Sequence, residues 1–206
     1  MIYKIKINAK EIKSMSRTIL IDADQSFQKL HIYIQKVFGL EACHLYDFKY
    51  GEEFFINVPE EEDDEKNYSL WVSLLDTEDE DDTKFDEVFD DELPKTKTYN
   101  AKSTKLSEIF DAMNIRDLEY VYDFGDYRSF DINLIEKIID ANNTGKLPKL
   151  IASEWHYLIE DCWWPRWYNE LLEMIAKKKY DDDLFESEED FVDYIKPMQK
   201  KVVLDV

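Results

Sequence analysis

Apolar and polar residues alternate along several short segments of the chain, and this period of two predicts β-strands. The central hairpin is expected at residues 120–132, where two alternating runs flank a break that contains Gly125. Tyr120, Tyr122 and Phe124 would share one face of its first strand. The other predicted strands are residues 2–7, 18–21, 45–50, 54–58 and 69–75. Joined as hairpins, these strands favour a mostly antiparallel sheet.

Helical spacing of apolar residues appears in three places. Early in the chain, Asp24 or Ser26 is a candidate cap, and Gly39 stands where a helix C-terminal glycine is typical. The inward stripe of this helix would be Phe27, Leu30, Ile34, Val37 and Phe38. A second helix is predicted at residues 103–113, with Leu106, Ile109, Phe110 and Met113 inward. Residues 134–140 fit either a strand extension or a short helix.

The C-terminal part, residues 164–196, is predicted to be helical. Its first helix begins near Trp164 with Pro165 in the first turn, and its second runs over residues 188–196 until Pro197 ends it. The order of strand, strand and helix at the start is β-grasp-like. The fold class expected is α+β: one domain over residues 1–206, with a mostly antiparallel sheet, an early packing helix and a helical C-terminal cover.

Charge changes this picture in one region. The chain has a net charge of −21, which argues against binding to a nucleic-acid phosphate backbone. Residues 60–92, here called the acidic region, hold 17 acids and two lysines, a net of −15. The remaining residues hold 30 acids and 24 bases, a net of −6. The acidity is therefore an elaboration within the domain.

Cysteine content and hydropathy bear on the compartment. Only Cys43 and Cys162 occur, and they lie far apart in the chain. Residues 1–13 alternate like a strand and do not resemble a secretory signal, and no apolar run approaches the roughly 18 residues that span a bilayer. A cytoplasmic protein with free thiols, no membrane contact and no cofactor is expected. The oligomeric state is left open.

Histidines and aspartates offer the main candidate chemistry. His31, His44, Asp123 and Asp126 could converge on zinc or iron, with His156 as a further imidazole. None of their spacings is a recognised ligand pair, so buried, hydrogen-bonded histidines are the favoured alternative. Asp123 and Asp126 could act as an acid/base pair, but turn aspartates more often bond their own backbone. No metal site and no catalytic residue are assigned.

Tryptophans are dense before the C-terminal helices. Trp163, Trp164 and Trp167 follow Trp155 within 13 residues. They are either a lid over the core or, in part, an exposed aromatic anchor for a partner.

Three segments of the chain, residues 18–51, 120–132 and 148–172, together resemble the plasmid Ri ORF-3-like family. The matching positions are Leu30-His31, Ile34-Gln35, Phe38-Gly39, His44-Leu45-Tyr46-Asp47-Phe48 and Tyr122-Asp123-Phe124-Gly125-Asp126. Arg128 and Phe130 stand where the family has Trp and His, and the family's Gly- and Cys-rich stretch is reduced to Glu160-Asp161-Cys162. The resemblance implies a compact α+β domain, found in bacteria, archaea and mobile elements, and no established activity.

The acidic region suggests the leading functional hypothesis, a non-catalytic module that binds a basic protein, in particular a nucleic-acid-binding one. Phe85, Val88, Phe89 and Leu93 have a spacing that would let an acidic helix dock on the body. The expected partner-binding residues are Glu78, Asp79, Glu80, Asp81, Asp82, Asp86, Asp90, Asp91 and Glu92. Closely spaced carboxylates could imitate DNA and inhibit such a partner. The alternatives are solvated acidic loops, a small metal-assisted enzyme around His31, His44, Asp123 and Asp126, or a structural oligomerisation domain.

Overall fold

The computed structural model describes residues 1–12, 15–58, 96–139, 145–154, 157–159 and 166–199. Eight strands of these ranges form one sheet in the order β5-β4-β3-β6-β7-β1-β2-β8. The strands are β1 Ile2–Ala9, β2 Ser16–Asp22, β3 Tyr46–Tyr50, β4 Phe54–Asn57, β5 Lys97–Asn100, β6 Asp117–Tyr122, β7 Arg128–Ile138 and β8 Lys149–Glu154. Neighbouring strands are antiparallel except β4 and β5, which pair in parallel.

Helix α1, Phe27–Phe38, packs on one face of the sheet. Ser26 begins it by accepting a hydrogen bond from the Lys29 backbone N–H, and Gly39 ends it at φ 81°. Its inward rings contact strand residues: Phe27 lies 5.1 Å from Phe48 between ring centroids, and Phe38 lies 4.9 Å from Phe130. This layer is the core of the protein.

The opposite face of the central strands carries charged side chains. Lys10 and Lys49 flank Glu119, with nitrogen–oxygen distances of 2.9 and 3.4 Å. A sheet with one apolar and one charged face is typical of antiparallel architectures, in which one side faces solvent.

The C-terminal helices are α2, Arg166–Lys177, and α3, Glu188–Gln199. Tyr168 of α2 is fully buried and donates its hydroxyl proton to the Tyr157 carbonyl over 3.0 Å. The neighbouring Leu158 backbone N–H donates to the carbonyl of Phe38, the last residue of α1, over 2.7 Å. Phe191, Ile195 and Met198 of α3 belong to the same apolar cluster as the sheet. The helices thus cover the core at the C-terminal end of α1.

The α+β class, the mostly antiparallel sheet, the early helix and the C-terminal helices are confirmed. The helix predicted at residues 103–113 is present but shorter: residues 106–112 are helical, with Glu108–Ala112 as a π-helix. Leu106, Ile109 and Phe110 are buried as predicted, whereas Met113 is 39% exposed. Residues 134–138 extend β7. Pro197 does not end α3, which continues to Gln199. The predicted strand at residues 69–75 lies outside the described residues.

Among the described residues, no helix has the length and apolarity needed to cross a membrane.

Candidate functional site

The first two segments that carry the family resemblance meet in one buried cluster, here called the His31 network. His31 and Gln35 lie one turn apart on α1, so both face strands β3 and β6. The Nδ1 atom of His31 lies 2.7 Å from the Tyr120 hydroxyl, and Gln35 Nε2 donates to the same hydroxyl over 2.7 Å. The imidazole also stacks on the Tyr46 ring, with centroids 3.6 Å apart and planes 5° apart. One helix and two strands are thereby tied together.

The hydrogen-bond pattern favours a neutral imidazole. The Tyr120 hydroxyl accepts from Gln35, so its single proton is free to be donated to Nδ1 of a His31 ring protonated at Nε2. Burial lowers the pKa of His31 to about 4, since the cation would lose its hydration. Burial also raises the pKa of Tyr46 to about 12 and that of Tyr120 further above its usual range. At neutral pH the His31 network holds no charge of its own.

Tyr122 holds the chain that leads into β3. Its buried hydroxyl accepts the backbone N–H of Cys43 over 3.1 Å and that of His44 over 3.4 Å. Cys43 is exposed, with its sulfur 3.8 Å from the same hydroxyl. His44 Nε2 lies 3.8 Å from Asp123 Oδ2, at the outer end of the cluster. This end is the only point where the described histidines approach solvent and a carboxylate together.

Asp123 shapes the turn between β6 and β7. It sits at φ 58°, a left-handed conformation that aspartate tolerates better than most residues. Its Oδ1 accepts the backbone N–H groups of Gly125 and Asp126 over 3.1 and 3.4 Å. These bonds agree with the prediction that Asp123 is a turn residue. The connection between β6 and β7 covers residues 123–127 and is longer than the tight turn that the sequence predicts.

Asp126 faces a different partner. Its Oδ2 lies 3.1 Å from Nη2 of Arg128, whose side chain is fully buried. Nη1 of the same guanidinium donates to the Ile159 carbonyl over 3.0 Å. Through Arg128, Asp126 therefore contributes to the anchoring of the segment before α2, and its carboxylate is engaged by that guanidinium.

The four weak metal candidates are not brought to one point. His31 bonds Tyr120, His44 faces Asp123, and Asp126 pairs with Arg128. Within the described ranges, no group of three or more His, Cys, Asp or Glu side chains is arranged to hold a metal ion. His156 lies outside those ranges. His31 is a buried, hydrogen-bonded histidine, as the favoured alternative predicts, whereas the His44 side chain is 31% exposed.

The nine expected partner-binding acids and two of the three expected aromatic anchors lie outside the described residues. They are Glu78, Asp79, Glu80, Asp81, Asp82, Asp86, Asp90, Asp91, Glu92, Trp163 and Trp164. Trp167 is described: it is half-buried, donates its Nε1 proton to the Tyr194 hydroxyl over 3.3 Å, and stacks on Phe185. It therefore serves the contact between α2 and α3.

A second acidic stretch, residues 181–193, was missed by the sequence reasoning. It holds eight acids and no base, and all eight are exposed. Without it and the acidic region, the chain holds 22 acids and 24 bases. The net charge of −6 outside residues 60–92 hides this stretch, because bases elsewhere offset its acids. A charge count over short windows would have found it.

Comparisons with known proteins identify a family and a similar fold. The family model described as plasmid pRiA4b ORF-3-like protein matches residues 1–200. The crystal structure of a protein of unknown function from Methanosarcina mazei Go1 is similar at a TM-score of 0.66 and 21% identity, over 98% of this chain and 95% of that chain. At that identity the likeness concerns the fold alone. No match was found among the curated proteins.

Proposed function

This chain belongs to the plasmid pRiA4b ORF-3-like family, and we propose that it is a non-catalytic module that binds a basic protein surface through its acidic region. The observation that carries the proposal is the concentration of charge: residues 60–92 account for −15 of the net −21. Carboxylates gathered in this way attract a basic partner from a distance and repel acidic ones.

The position of the acidic region in the chain supports presentation from one edge of the body. It is inserted between β4 and β5, and these strands pair in parallel from Phe54↔Lys97 to Asn57↔Asn100. The inserted segment therefore leaves the sheet after Asn57 and returns at Lys97, two points about 11 Å apart by strand geometry. The Ala101 backbone N–H donates to the Asn57 carbonyl over 2.6 Å, and the Lys97 backbone N–H donates to the Glu53 carbonyl over 3.3 Å. Both ends of the insertion are thus held by the same sheet edge.

The His31 network supports a non-catalytic role. A general acid or base needs a pKa near the working pH and access to substrate, whereas burial holds the pKa of His31 at about 4 and the side chain is 5% exposed. A metal-assisted enzyme would have to rely on His44 and Asp123 at the outer end of the cluster. An oligomerisation domain would instead predict a mass that rises with protein concentration.

The finer proposal is a DNA-mimic inhibitor of a nucleic-acid-binding protein in a mobile-element or phage setting. Duplex DNA carries about one charge per 1.7 Å, so the protein that it attracts presents a dense row of Lys and Arg. A binder of that row would compete with DNA for the partner. This competition separates a mimic from a module that meets a basic surface of another kind.

The test compares two baits of equal charge in capture from the native host. The first carries Asp81→Asn, Asp82→Asn, Asp86→Asn, Asp90→Asn and Glu92→Gln. The control neutralises five exposed acids elsewhere, as Glu11→Gln, Asp24→Asn, Glu41→Gln, Asp117→Asn and Glu136→Gln. The captured protein is then purified and its affinity for each bait is measured between 50 and 200 mM salt.

We expect the first bait to bind the captured protein at least tenfold more weakly than the unaltered chain, and the control to stay within about twofold. Binding to the unaltered chain should also weaken steeply with salt, because exposed charges are screened over about 8–10 Å. Duplex DNA should displace the chain from its partner if the chain imitates DNA. Equal affinity of both baits would contradict the proposal, as would loss of binding or activity on chelation alone.

A further inference from the structure

We propose that the groove between α2 and α3 binds a basic amphipathic helix of a partner protein, independently of the acidic region. The described residues that line this groove, here called the α2–α3 groove, are Arg166, Trp167, Glu170, Leu184, Phe185, Asp190 and Tyr194. Its volume is about 790 Å³, within the roughly 300–1,000 Å³ of ligand-binding clefts.

The floor of the groove is aromatic. Phe185 stacks on Trp167 at 6.1 Å between ring centroids and packs on Tyr194 at 5.6 Å. All three rings are only half-buried, and Leu184 beside them is 49% exposed. Apolar surface of this kind on an exposed groove favours contact with apolar side chains of another molecule.

The rim of the groove is acidic. Asp190 and Glu170 line it directly, and Asp183, Glu186 and Glu189, all exposed, are next in sequence to its lining residues Leu184, Phe185 and Asp190. Arg166 is the one cation among the described lining residues, and its Nε is engaged by Glu170 at 3.0 Å. The surroundings therefore favour Lys and Arg around the apolar contact and disfavour a nucleic acid or an anionic lipid surface.

The shape of the groove indicates the form of the occupant. Its lining comes from the first turn of α2, from the connection, and from Asp190 and Tyr194 one turn apart on α3, so it is a short trough that could take about two turns of a helix. Helix-in-groove recognition uses apolar residues at i, i+3 or i+4, and i+7. A segment with Leu, Ile or Phe at those positions and Lys or Arg on its flanks would match both floor and rim. A second copy of this chain would bring the same acids to the groove and be repelled.

The probe is a fluorescent 14-residue peptide of Leu and Lys with the apolar residues at helical spacing. Two control peptides accompany it: one with Glu in place of every Lys, and one with the same Leu and Lys residues scrambled out of helical spacing. Fluorescence anisotropy with the full chain at about 150 mM salt gives each affinity. Three protein variants are compared. Leu184→Ser changes the groove, and Val192→Ser is its control at an exposed apolar position of the α2–α3 hairpin that does not line the groove. The charge variant is Asp183→Asn/Glu186→Gln/Glu189→Gln.

We expect the helical Leu/Lys peptide to bind at least tenfold more tightly than either control peptide. Leu184→Ser and the charge variant should each weaken that binding at least fivefold, and Val192→Ser should leave it within twofold. Neutralising the five acids Asp81, Asp82, Asp86, Asp90 and Glu92 should also leave it within twofold, which separates this site from the acidic region. Equal binding of the three peptides, an unchanged affinity of Leu184→Ser, or concentration-dependent dimerisation abolished by Leu184→Ser would overturn the proposal.

Discussion

The His31 network and the α2–α3 groove both gather aromatic side chains, but they differ in burial and in charge. In the network, Tyr120 and Tyr122 are fully buried, and their hydroxyl groups are satisfied by side-chain and backbone partners. In the groove, Trp167, Phe185 and Tyr194 remain half-buried under a rim of exposed acids. The first arrangement holds the sheet to α1, whereas the second leaves apolar surface available for a partner.

This difference bears on the role of the residues that carry the family resemblance. Most of the matching residues of α1, β3 and β6 are buried, and His31, Gln35, Tyr46 and Tyr122 lie in or beside the His31 network. The two acidic stretches lie outside the matching positions. The family model spans residues 1–200; within that span the motif stabilises the fold, and the proposed binding features lie in the two acidic stretches.

Removal of a buried guanidinium should give the largest loss of stability. Arg17 is fully buried, donates to the carbonyls of Val37, Ser16 and Glu154, and lies over the Phe38 ring at 4.7 Å. Burial lowers its pKa to about 10, so it stays charged at neutral pH. Arg17→Met leaves three carbonyls unsatisfied and should cost about 4 kcal/mol of unfolding free energy.

Denaturant unfolding measures this loss, with Arg166→Met as the matched control. The Arg166 side chain is 92% exposed, and its replacement should cost no more than about 0.5 kcal/mol. Similar losses of unfolding free energy for the two variants would mean that the buried contacts of Arg17 do not stabilise the fold as described.

Acid should weaken the body through His31. Because burial lowers the folded-state pKa to about 4 while the unfolded chain keeps about 6.5, the unfolded state binds more protons between these values. The stabilisation is present above pH 6.5 and is lost as the pH falls toward 4, with a total of at most about 3 kcal/mol. Unfolding free energies of the unaltered chain and of His31→Gln, measured over this range, should differ in slope. Parallel pH profiles for the two proteins would show that His31 is not held neutral.

A pair of glycine substitutions isolates the contact between α1 and the segment before α2. Gly39 has φ 81°, and a Cβ there would lie 2.7–2.9 Å from side-chain atoms of Tyr157. Gly51 has φ 52° and no heavy atom within 4 Å of the same position. Gly51→Ala should therefore cost about 1 kcal/mol from backbone strain alone, and Gly39→Ala about 2–3 kcal/mol. Thermal unfolding of both variants gives the difference in stability. Equal losses of stability would show that the Tyr157 contact does not restrict residue 39.

Local sequence patterns predict those helices and strands whose own residues carry the hydrophobic spacing and the caps that define them. Helix α1 has its stripe, its Ser26 cap and its Gly39 terminus within 14 residues, and β1 alternates clearly. Strand β5 has no such signal: its residues are exposed or half-buried, and the strand exists because β4 offers a parallel partner. Strand β8 buries only Leu150 fully and depends in the same way on β2.

The candidate sites also combine residues that local sequence patterns identify with contacts that only the folded chain brings together. The motif identifies His31, Gln35 and Tyr122, but the bond between His31 and Tyr120 joins residues 89 positions apart, and local spacing cannot predict it. The α2–α3 groove combines Trp167 with Phe185 from the connection between the two helices, so only the packed hairpin defines it. The turn role of Asp123, by contrast, follows from its neighbours in the chain.

The most direct test of the central claim measures binding and stability on the same two proteins. One carries the five neutral substitutions at Asp81, Asp82, Asp86, Asp90 and Glu92, and the other carries His31→Gln. For the first we predict at least a tenfold loss of affinity for the captured basic partner with an unchanged unfolding temperature. For the second we predict a lowered unfolding temperature with affinity kept within about twofold at a temperature where it is folded. The reverse result, with binding lost in His31→Gln and retained in the neutralised chain, would contradict the account.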